Sequence, residues 1–172
     1  VNKGISYLIE ACHKLAKDYP EIVNKTAIAI LGGHAENLRE EFDFEVYELG
    51  YINDTQRIVD VYNASDVFVL PSLSENLPNT IMEAMACGVP CVGFKVGGIP
   101  EEIDHKVNGY VAKYRDATDL AQGLHWILEE ADYQDLSSSA ITKVQRSYSQ
   151  RSVALQYINI YNEAMAFKNY RL

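Results

Sequence analysis

The fold is decided by residues 67 to 94, which read VFVLPSLSENLPNTIMEAMACGVPCVGF. Val67 to Leu70 form an apolar run that Pro71 stops, and Cys91 to Phe94 form a second one. The segment between them has the pattern of a helix over Asn79 to Cys87, because proline is favoured at the start of a helix and glycine just past its end. Continuous apolar strands around a helix are typical of a parallel sheet that is covered on both faces.

The rest of the chain repeats this alternation of strand and helix. Further strands are predicted at Thr26 to Leu31, Val46 to Leu49 and Tyr110 to Ala112. Helices are predicted at Ile5 to Lys17, near Leu38, at Ile58 to Tyr62, at Pro100, from Asp116 to Glu130, from Ser137 to Ser139 onward, and from Ser149 to about Phe167. About five strands alternating with helices predict a doubly wound, Rossmann-like α/β domain with helices on both faces.

The 172 residues suit one domain. Folds of this kind open with a strand, whereas Val1 to Gly4 leads directly into a helix. We therefore expect the chain to be part of a larger protein and to lack the first strand of its sheet.

Composition excludes several classes of protein. The hydrophobic fraction of 48% is that of a folded domain, and the net charge of -9 disfavours a nucleic acid or an anionic membrane as a partner. No apolar run approaches the length of a membrane span, and the given residues do not open with a charged segment followed by an apolar one, so we expect an unexported protein. Cys12, Cys87 and Cys91 lie in apolar stretches, which favours reduced thiols and a cytoplasmic location. The four histidines show no ligand spacing, so no metal is expected.

In open parallel sheets, ligands bind at the carboxyl ends of the strands. Here these positions are the loops after Leu31, Leu49, Leu70 and Phe94. Gly32-Gly33 and Gly97-Gly98 would let the backbone approach a ligand closely, and a plain tight turn is the alternative interpretation.

Glu83 is the only charged residue between Asn76 and Phe94, and it lies on a helix that is otherwise nearly all apolar. A carboxylate in apolar surroundings is costly unless a specific group meets it. That group is either a buried lysine or arginine, or a ligand diol whose two hydroxyls donate to the carboxylate.

Glu75 stands eight positions earlier, on the loop that faces the same crevice. The helix N-terminus between the two glutamates offers the backbone N–H groups of Leu77, Asn79 and Thr80, an anion site suited to a diphosphate. Lys3, at the mouth of the first loop, would add a positive charge there, although a solvated surface lysine is the alternative.

The stretch from Ser72 to Pro90 resembles the E-x7-E signature of the retaining, nucleotide-sugar-dependent glycosyltransferases of family four, which have the GT-B fold. Other parts of the chain resemble that family's motifs in the same order: Lys3-Gly4, Leu49 to Ile52, Val96 to Glu101, and Asn108 to Tyr110.

The resemblance implies that Glu83 binds the donor ribose, that Glu75 meets the transferred sugar, and that Lys3 contacts the diphosphate. It also implies that the turn from Asn76 to Thr80 contacts phosphate and that Gly50 to Ile52 lie against the base. The expected donor-binding residues are Glu83, Asn76, Leu77, Asn79, Thr80, Gly50, Tyr51, Ile52, Gly32 and Gly33, with Lys3 and Glu75 as the catalytic pair.

Two departures from the family pattern stand out. Many members have G-F-G where this chain has Asn76-Leu77-Pro78, and the arginine beside the family's lysine would precede Val1. The family's N-terminal, acceptor-binding domain is also absent from the sequence.

The resemblance thus predicts the donor-binding domain of a retaining glycosyltransferase, which moves a sugar from a UDP- or GDP-sugar to an acceptor hydroxyl. No cofactor beyond the donor is expected. The expected partner is the N-terminal domain of the same full-length protein. A peripheral membrane contact is expected only through that domain. The helix over 149–168 carries apolar residues off its main stripe and is expected to cross to that domain, and the alternative is that both faces bury within this one.

Three rival functions come from other classes. One is a nucleotide-binding or regulatory module without catalysis, and another is a phosphoacceptor receiver domain, which needs an acidic cluster on its first strand. The third is a sugar-nucleotide epimerase on the same two-domain fold, which the E-x7-E stretch disfavours.

Overall fold

The structure is a computed structural model that describes residues 3–32 and 38–169, with side chains as far as residue 166. Five short strands run in it: β1 (Ala27–Leu31), β2 (Glu45–Gly50), β3 (Phe68–Leu70), β4 (Cys91–Phe94) and β5 (Gly109–Ala112). Every pairing between them is parallel. The predicted α/β class is therefore confirmed.

The strands form two sheets rather than one. β1 pairs with β2, while β4 lies between β3 and β5, with Val92 beside Val69 and Tyr110. Among the described residues, no strand pairing joins the two sheets. Both nevertheless contribute to one hydrophobic cluster, which contains Val46 of β2 and Phe94 of β4.

Eight α-helices connect and cover these strands. They are α1 (Ile5–Asp18), α2 (Pro20–Val23), α3 (Thr55–Asn63), α4 (Asn79–Ala86), α5 (Ile99–Glu102), α6 (Ala117–His125), α7 (Tyr133–Ser147) and α8 (Gln150–Asn169). The predicted helix near Leu38 is a 3₁₀ turn, Arg39–Glu41, and a π-helical stretch, Trp126–Glu130, extends α6. α1 and α6 pack in one cluster and α3, α4 and α7 in another, so helices lie on both faces as predicted.

Side-chain caps set several helix starts. Asp54, Asp116 and Asp132 each accept hydrogen bonds from backbone N–H groups of the following turn. The prediction that a helix starts at Ser137 to Ser139 is wrong, because Asp132 caps the helix five residues earlier, before Tyr133. Ser149 caps α8 as predicted, through its Oγ and the Ser152 N–H at 3.2 Å.

Helix α8 leaves the core of its own domain. Its exposed side chains include large apolar ones at 51% to 62% exposure: Leu155, Tyr157, Ile158, Ile160, Tyr161 and Met165. The alternative that both faces of this helix bury within the domain is therefore wrong. Despite these apolar side chains, none of the helices in the described ranges has the length and hydropathy of a membrane span.

Candidate donor-binding site

The start of α1 and the end of β3 meet at Gly4. A side chain at Gly4 would overlap the Pro71 carbonyl oxygen, and Gly4 adopts a left-handed conformation with φ 64°. Because Gly4 lies against Pro71, the preceding residue, Lys3, lies beside the loop that follows β3. The Lys3 Nζ lies 3.1 Å from the Glu75 Oε1, joining the two predicted catalytic residues.

The Gly97-Gly98 pair packs against the same loop. A side chain at Gly97 would overlap the Glu75 carbonyl oxygen, and the Gly98 N–H donates to the Asn76 carbonyl oxygen at 2.5 Å. The close backbone approach expected here is therefore made to the protein's own loop. Together, the contact at Gly97 and the hydrogen bond from Gly98 fix the backbone of Glu75 and Asn76.

The N-terminus of α4 is open. Pro78 occupies the N-cap position, and no side chain in residues 3–32 or 38–166 caps the helix. Asn76, Leu77, Asn79 and Thr80 are exposed. Because the first N–H groups of a helix have no acceptor within it, those of Asn79 and Thr80 are available to a ligand. With the helix dipole, they make a site that suits an anion.

Glu83 lies on the exposed side of α4, so the expectation of apolar surroundings is wrong. The buried residues of the helix are Ile81, Ala84 and Met85, and Glu83 points away from them. Within the described ranges, no lysine or arginine forms an ion pair with Glu83, which removes the interpretation as a buried pair. Its carboxylate instead has the Tyr62 hydroxyl 3.3 Å from Oε2.

The predicted base-binding residues lie at the carboxyl end of the other sheet. Gly50 ends β2 in a left-handed conformation, Tyr51 is strongly exposed, and the Gly32 N–H donates to the Gly50 carbonyl oxygen at 2.8 Å. Gly33 lies outside the described residues. In the part of the chain that the structure describes, no hydrogen bond or ion pair connects this group with Lys3 and Glu75.

Ile52 borders an open cavity of about 390 Å³ between the β1–β2 sheet and α3. Its wall is mostly apolar, and α3 also contributes the charged residues Arg57 and Asp60. This volume is in the range of small-molecule sites. The cavity is bordered on one side by the predicted base-binding loop and on another by α3, the helix that carries Tyr62.

Sequence reasoning missed two buried polar groups near the loop after β3. The Ser72 hydroxyl and both carboxylate oxygens of Glu102 are buried and have no hydrogen-bond partner among the residues that the structure describes. Burial, with the negative charges of Glu101 and Glu75, raises the pKa of Glu102 to about 8. Nothing in the sequence pattern singled out Glu102, which follows another glutamate and looks like a surface residue.

Tyr114 is a third missed residue. Its hydroxyl donates to the Leu73 carbonyl oxygen at 3.0 Å, and the Arg115 guanidinium lies 5.0 Å from the centre of its ring. It therefore supports the loop that carries Glu75 from the β5 side. Among the described residues, no cluster of three or more His, Cys, Asp or Glu side chains is placed to hold a metal.

This arrangement defines a Rossmann-like domain in which Glu75 and Glu83 flank an open helix N-terminus that follows strand β3. A model of the family described as Glycosyl transferases group 1 matches residues 1–130. The chain belongs to this family, and the predicted family is confirmed.

Two curated relatives illustrate the match. The chain is 30% identical over 177 residues to a D-inositol 3-phosphate glycosyltransferase of Saccharomonospora viridis, covering 95% of this chain and 41% of that protein. It is 31% identical over 116 residues to an N-acetyl-alpha-D-glucosaminyl L-malate synthase of Bacillus anthracis, covering 67% of this chain and 30% of that protein. The chain thus spans less than half the length of these relatives.

Solved structures share the fold. Sucrose-phosphate synthase from Thermosynechococcus elongatus superposes with a TM-score of 0.74 at 24% identity, over 96% of this chain and 43% of that one. The Anabaena protein HepE in complex with UDP gives the same TM-score and identity, over 94% of this chain and 46% of that one.

Proposed function

We propose that this chain binds a nucleoside diphosphate sugar and acts as the donor half of a retaining glycosyltransferase. The observation that carries the proposal is the Lys3–Glu75 contact on the loop that leads into the N-terminus of α4, a helix start that no described side chain caps. The relative HepE supports it, because it has been solved with UDP and with UDP-glucose. Retention of configuration rests on the family resemblance.

The diphosphate is assigned to the N-terminus of α4 and to Lys3. The N–H groups of Asn79 and Thr80 supply partial positive charge, and the exposed ammonium of Lys3 supplies a full one. In this position the two groups would stabilise the charge that develops on the diphosphate as it leaves the sugar. Lys3 would exchange its contact with Glu75 for the phosphate when the donor binds.

Glu83 is assigned to the ribose. Its carboxylate is exposed on α4, and in the described structure its Oε1 receives no hydrogen bond. An ionised carboxylate accepts from two neighbouring hydroxyls at once, which suits the 2′ and 3′ positions of a ribose. Glu75 is assigned to the transferred sugar, because Gly97 and Gly98 hold its backbone and its side chain is mostly buried.

The base is assigned to the loop of Gly50, Tyr51 and Ile52, next to the cavity under α3. Tyr51 offers an exposed aromatic ring on which a base can stack. UDP- and GDP-sugars are the donors that we propose.

We also propose that a further strand and a second domain complete the active enzyme. In the doubly wound order 3-2-1-4-5-6, the first strand lies between the strands that here are β1 and β3. The contact of Gly4 with Pro71 places the start of α1 at the end of β3, where such a strand would finish. The exposed apolar side of α8 would then pack on the acceptor-binding domain.

A cytoplasmic location is part of the same proposal. Its support is chemical: Cys12 and Cys91 are buried as free thiols, and the half-buried Cys87 is also free.

Calorimetric titration of the 172-residue chain with UDP, GDP and ADP tests the proposal. We expect UDP or GDP to bind, and we expect no sugar transfer when the matching sugar nucleotide and candidate acceptors are added. Failure of all three nucleotides to bind, or efficient transfer by this chain alone, would contradict it.

A further inference from the structure

Tyr62 on α3 connects two helices at the proposed ribose site. Its side chain is buried, with the residue 4% exposed. The hydroxyl oxygen lies 3.3 Å from the Glu83 Oε2 and 3.5 Å from the Thr80 carbonyl oxygen. Both of these groups belong to α4, and Glu83 is the residue assigned to the ribose.

The core fixes where this hydroxyl lies. The Tyr62 ring meets the Phe68 ring edge to face, with the ring centres 5.7 Å apart. It belongs to the cluster that also contains Ile81, Ala84 and Met85, the buried residues of α4. Its position relative to α4 is therefore set by packing on both sides.

Toward these two oxygens the Tyr62 hydroxyl can only donate. Burial, followed by the charge of Glu83 and the hydrogen bond to it, raises the pKa of Tyr62 far above the usual 10, so the hydroxyl keeps its proton. A carbonyl and an ionised carboxylate only accept hydrogen bonds. The single proton is thus available to one of the two oxygens at a time.

We propose that Tyr62 is a positioning residue that holds the Glu83 carboxylate in the orientation that accepts the two ribose hydroxyls. The inference rests on the proposed function. An exposed glutamate otherwise exchanges among several staggered rotamers, and a ligand that needs one of them bears the entropic cost of selecting it. The donor on Oε2 reduces that cost and leaves Oε1 free for the ribose.

The test compares Tyr62→Phe with the wild-type chain in calorimetric titrations. The probes are UDP and GDP, each beside its 2′,3′-dideoxy analogue. We expect Tyr62→Phe to lower affinity for the ribonucleotide about 3- to 10-fold, as for loss of one hydrogen bond. Affinity for the dideoxy analogue, which has no diol, should stay nearly constant.

Tyr110→Phe is the matched control. The Tyr110 hydroxyl is also buried, and it donates to the Asp119 Oδ1 at 2.9 Å, on α6 rather than α4. This variant should lose stability without changing the ratio of ribo to dideoxy affinity. Both affinities are measured on the same preparation of each variant. Their ratio therefore does not depend on what fraction of that preparation is folded.

Glu83→Gln distinguishes a failure of the role of Tyr62 from a failure of the assignment of Glu83 to the ribose. If Glu83→Gln abolishes the preference for the ribonucleotide and Tyr62→Phe leaves it at the wild-type value, the role of Tyr62 is overturned and that of Glu83 stands. If neither variant changes the preference, the assignment of Glu83 to the ribose fails and the inference falls with it. If Tyr62→Phe weakens the binding of the ribonucleotide and of its dideoxy analogue equally, the role of Tyr62 is merely structural and the inference is overturned.

Discussion

The Lys3 ammonium lies 3.1 Å from the Glu75 carboxylate, although 72 positions separate the two residues in the chain. The lysine side chain is 79% exposed and that of the glutamate only 16%, so the ammonium faces solvent while the carboxylate is mostly buried. Because the ammonium is solvated, an ion pair of this kind contributes at most about 1 kcal/mol. In the proposed function, a diphosphate with two negative groups would therefore displace Glu75 from Lys3 at little cost.

Lys3→Met should weaken binding of the nucleoside diphosphate. The loss should be several-fold at low salt and should shrink as ionic strength rises, because the charge is exposed and easily screened. Calorimetric titration at two salt concentrations measures both effects.

The control for this variant is Lys14→Met, which removes a partly exposed lysine on α1 whose ammonium lies 3.5 Å from the Glu10 carboxylate. It should leave nucleotide affinity unchanged. Equal losses in the two variants would mean that only the overall charge of the domain matters.

Gly97→Ala should destabilise the fold more than Gly50→Ala does. Both glycines have positive φ, 54° and 64°, but a methyl group at Gly97 would overlap the Glu75 carbonyl oxygen, while one at Gly50 meets none of the described atoms within 4 Å. Strain alone should cost about 1 to 2 kcal/mol at each position, and the overlap should add about 1 to 3 kcal/mol at Gly97. Urea unfolding of the two variants measures the difference, and equal losses would show that the loops separate easily.

Glu102 should make the protein less stable as pH rises. Its pKa in the folded state is raised from 4.5 to about 8, so between these values the folded state binds more protons than the unfolded state. The free energy of unfolding therefore falls with pH across this window, by at most about 1.4 kcal/mol per pH unit from this group.

Glu102→Gln should flatten that dependence, because the amide does not titrate. Unfolding in urea at several pH values between 5 and 9 measures the slope. Glu40→Gln, at an exposed site in the 3₁₀ turn, should leave the slope of the wild type in place. A wild-type slope that persists in Glu102→Gln would mean that another group causes it.

The second half of α8 should exchange its amide hydrogens rapidly. Beyond Val153 the described side chains of this helix are exposed. Because most helical stability in proteins comes from packing of an apolar face, a helical segment without such packing opens easily. Hydrogen exchange followed by mass spectrometry should show low protection after about Tyr157. Strong protection through Phe167 in a monomeric sample would show that the helix needs no partner.

The sequence predicted local structure well where one residue type controls it. Strand β4 matches its predicted bounds because Pro90 stops the chain before it, and α4 begins at Asn79 because Pro78 cannot donate the hydrogen bond of an earlier turn. The start of α7 was missed because three serines looked like a cap, while Asp132 reaches the N–H groups first.

Contacts between distant loops were beyond the reach of a sequence pattern. Glycine at positions 97 and 98 indicated a close approach, but only the fold shows that the Glu75-Asn76 peptide is what approaches. The environment of Glu83 was misjudged for a similar reason. Its apolar neighbours Ala84 and Met85 face the core, whereas Glu83 shares the outer side of the helix with the exposed Ala86.

The central claim is that Glu83 and Glu75 divide the work of donor binding, and nucleotide affinity in two variants tests it most directly. Glu83→Gln should weaken binding of UDP or GDP by about 1 to 3 kcal/mol, because a neutral amide is a poorer acceptor for the ribose hydroxyls. Glu75→Gln should bind the same nucleotide no more weakly than the wild type, because Glu75 is assigned to the sugar and competes with the diphosphate for Lys3. Equal loss of affinity in both variants would contradict the account.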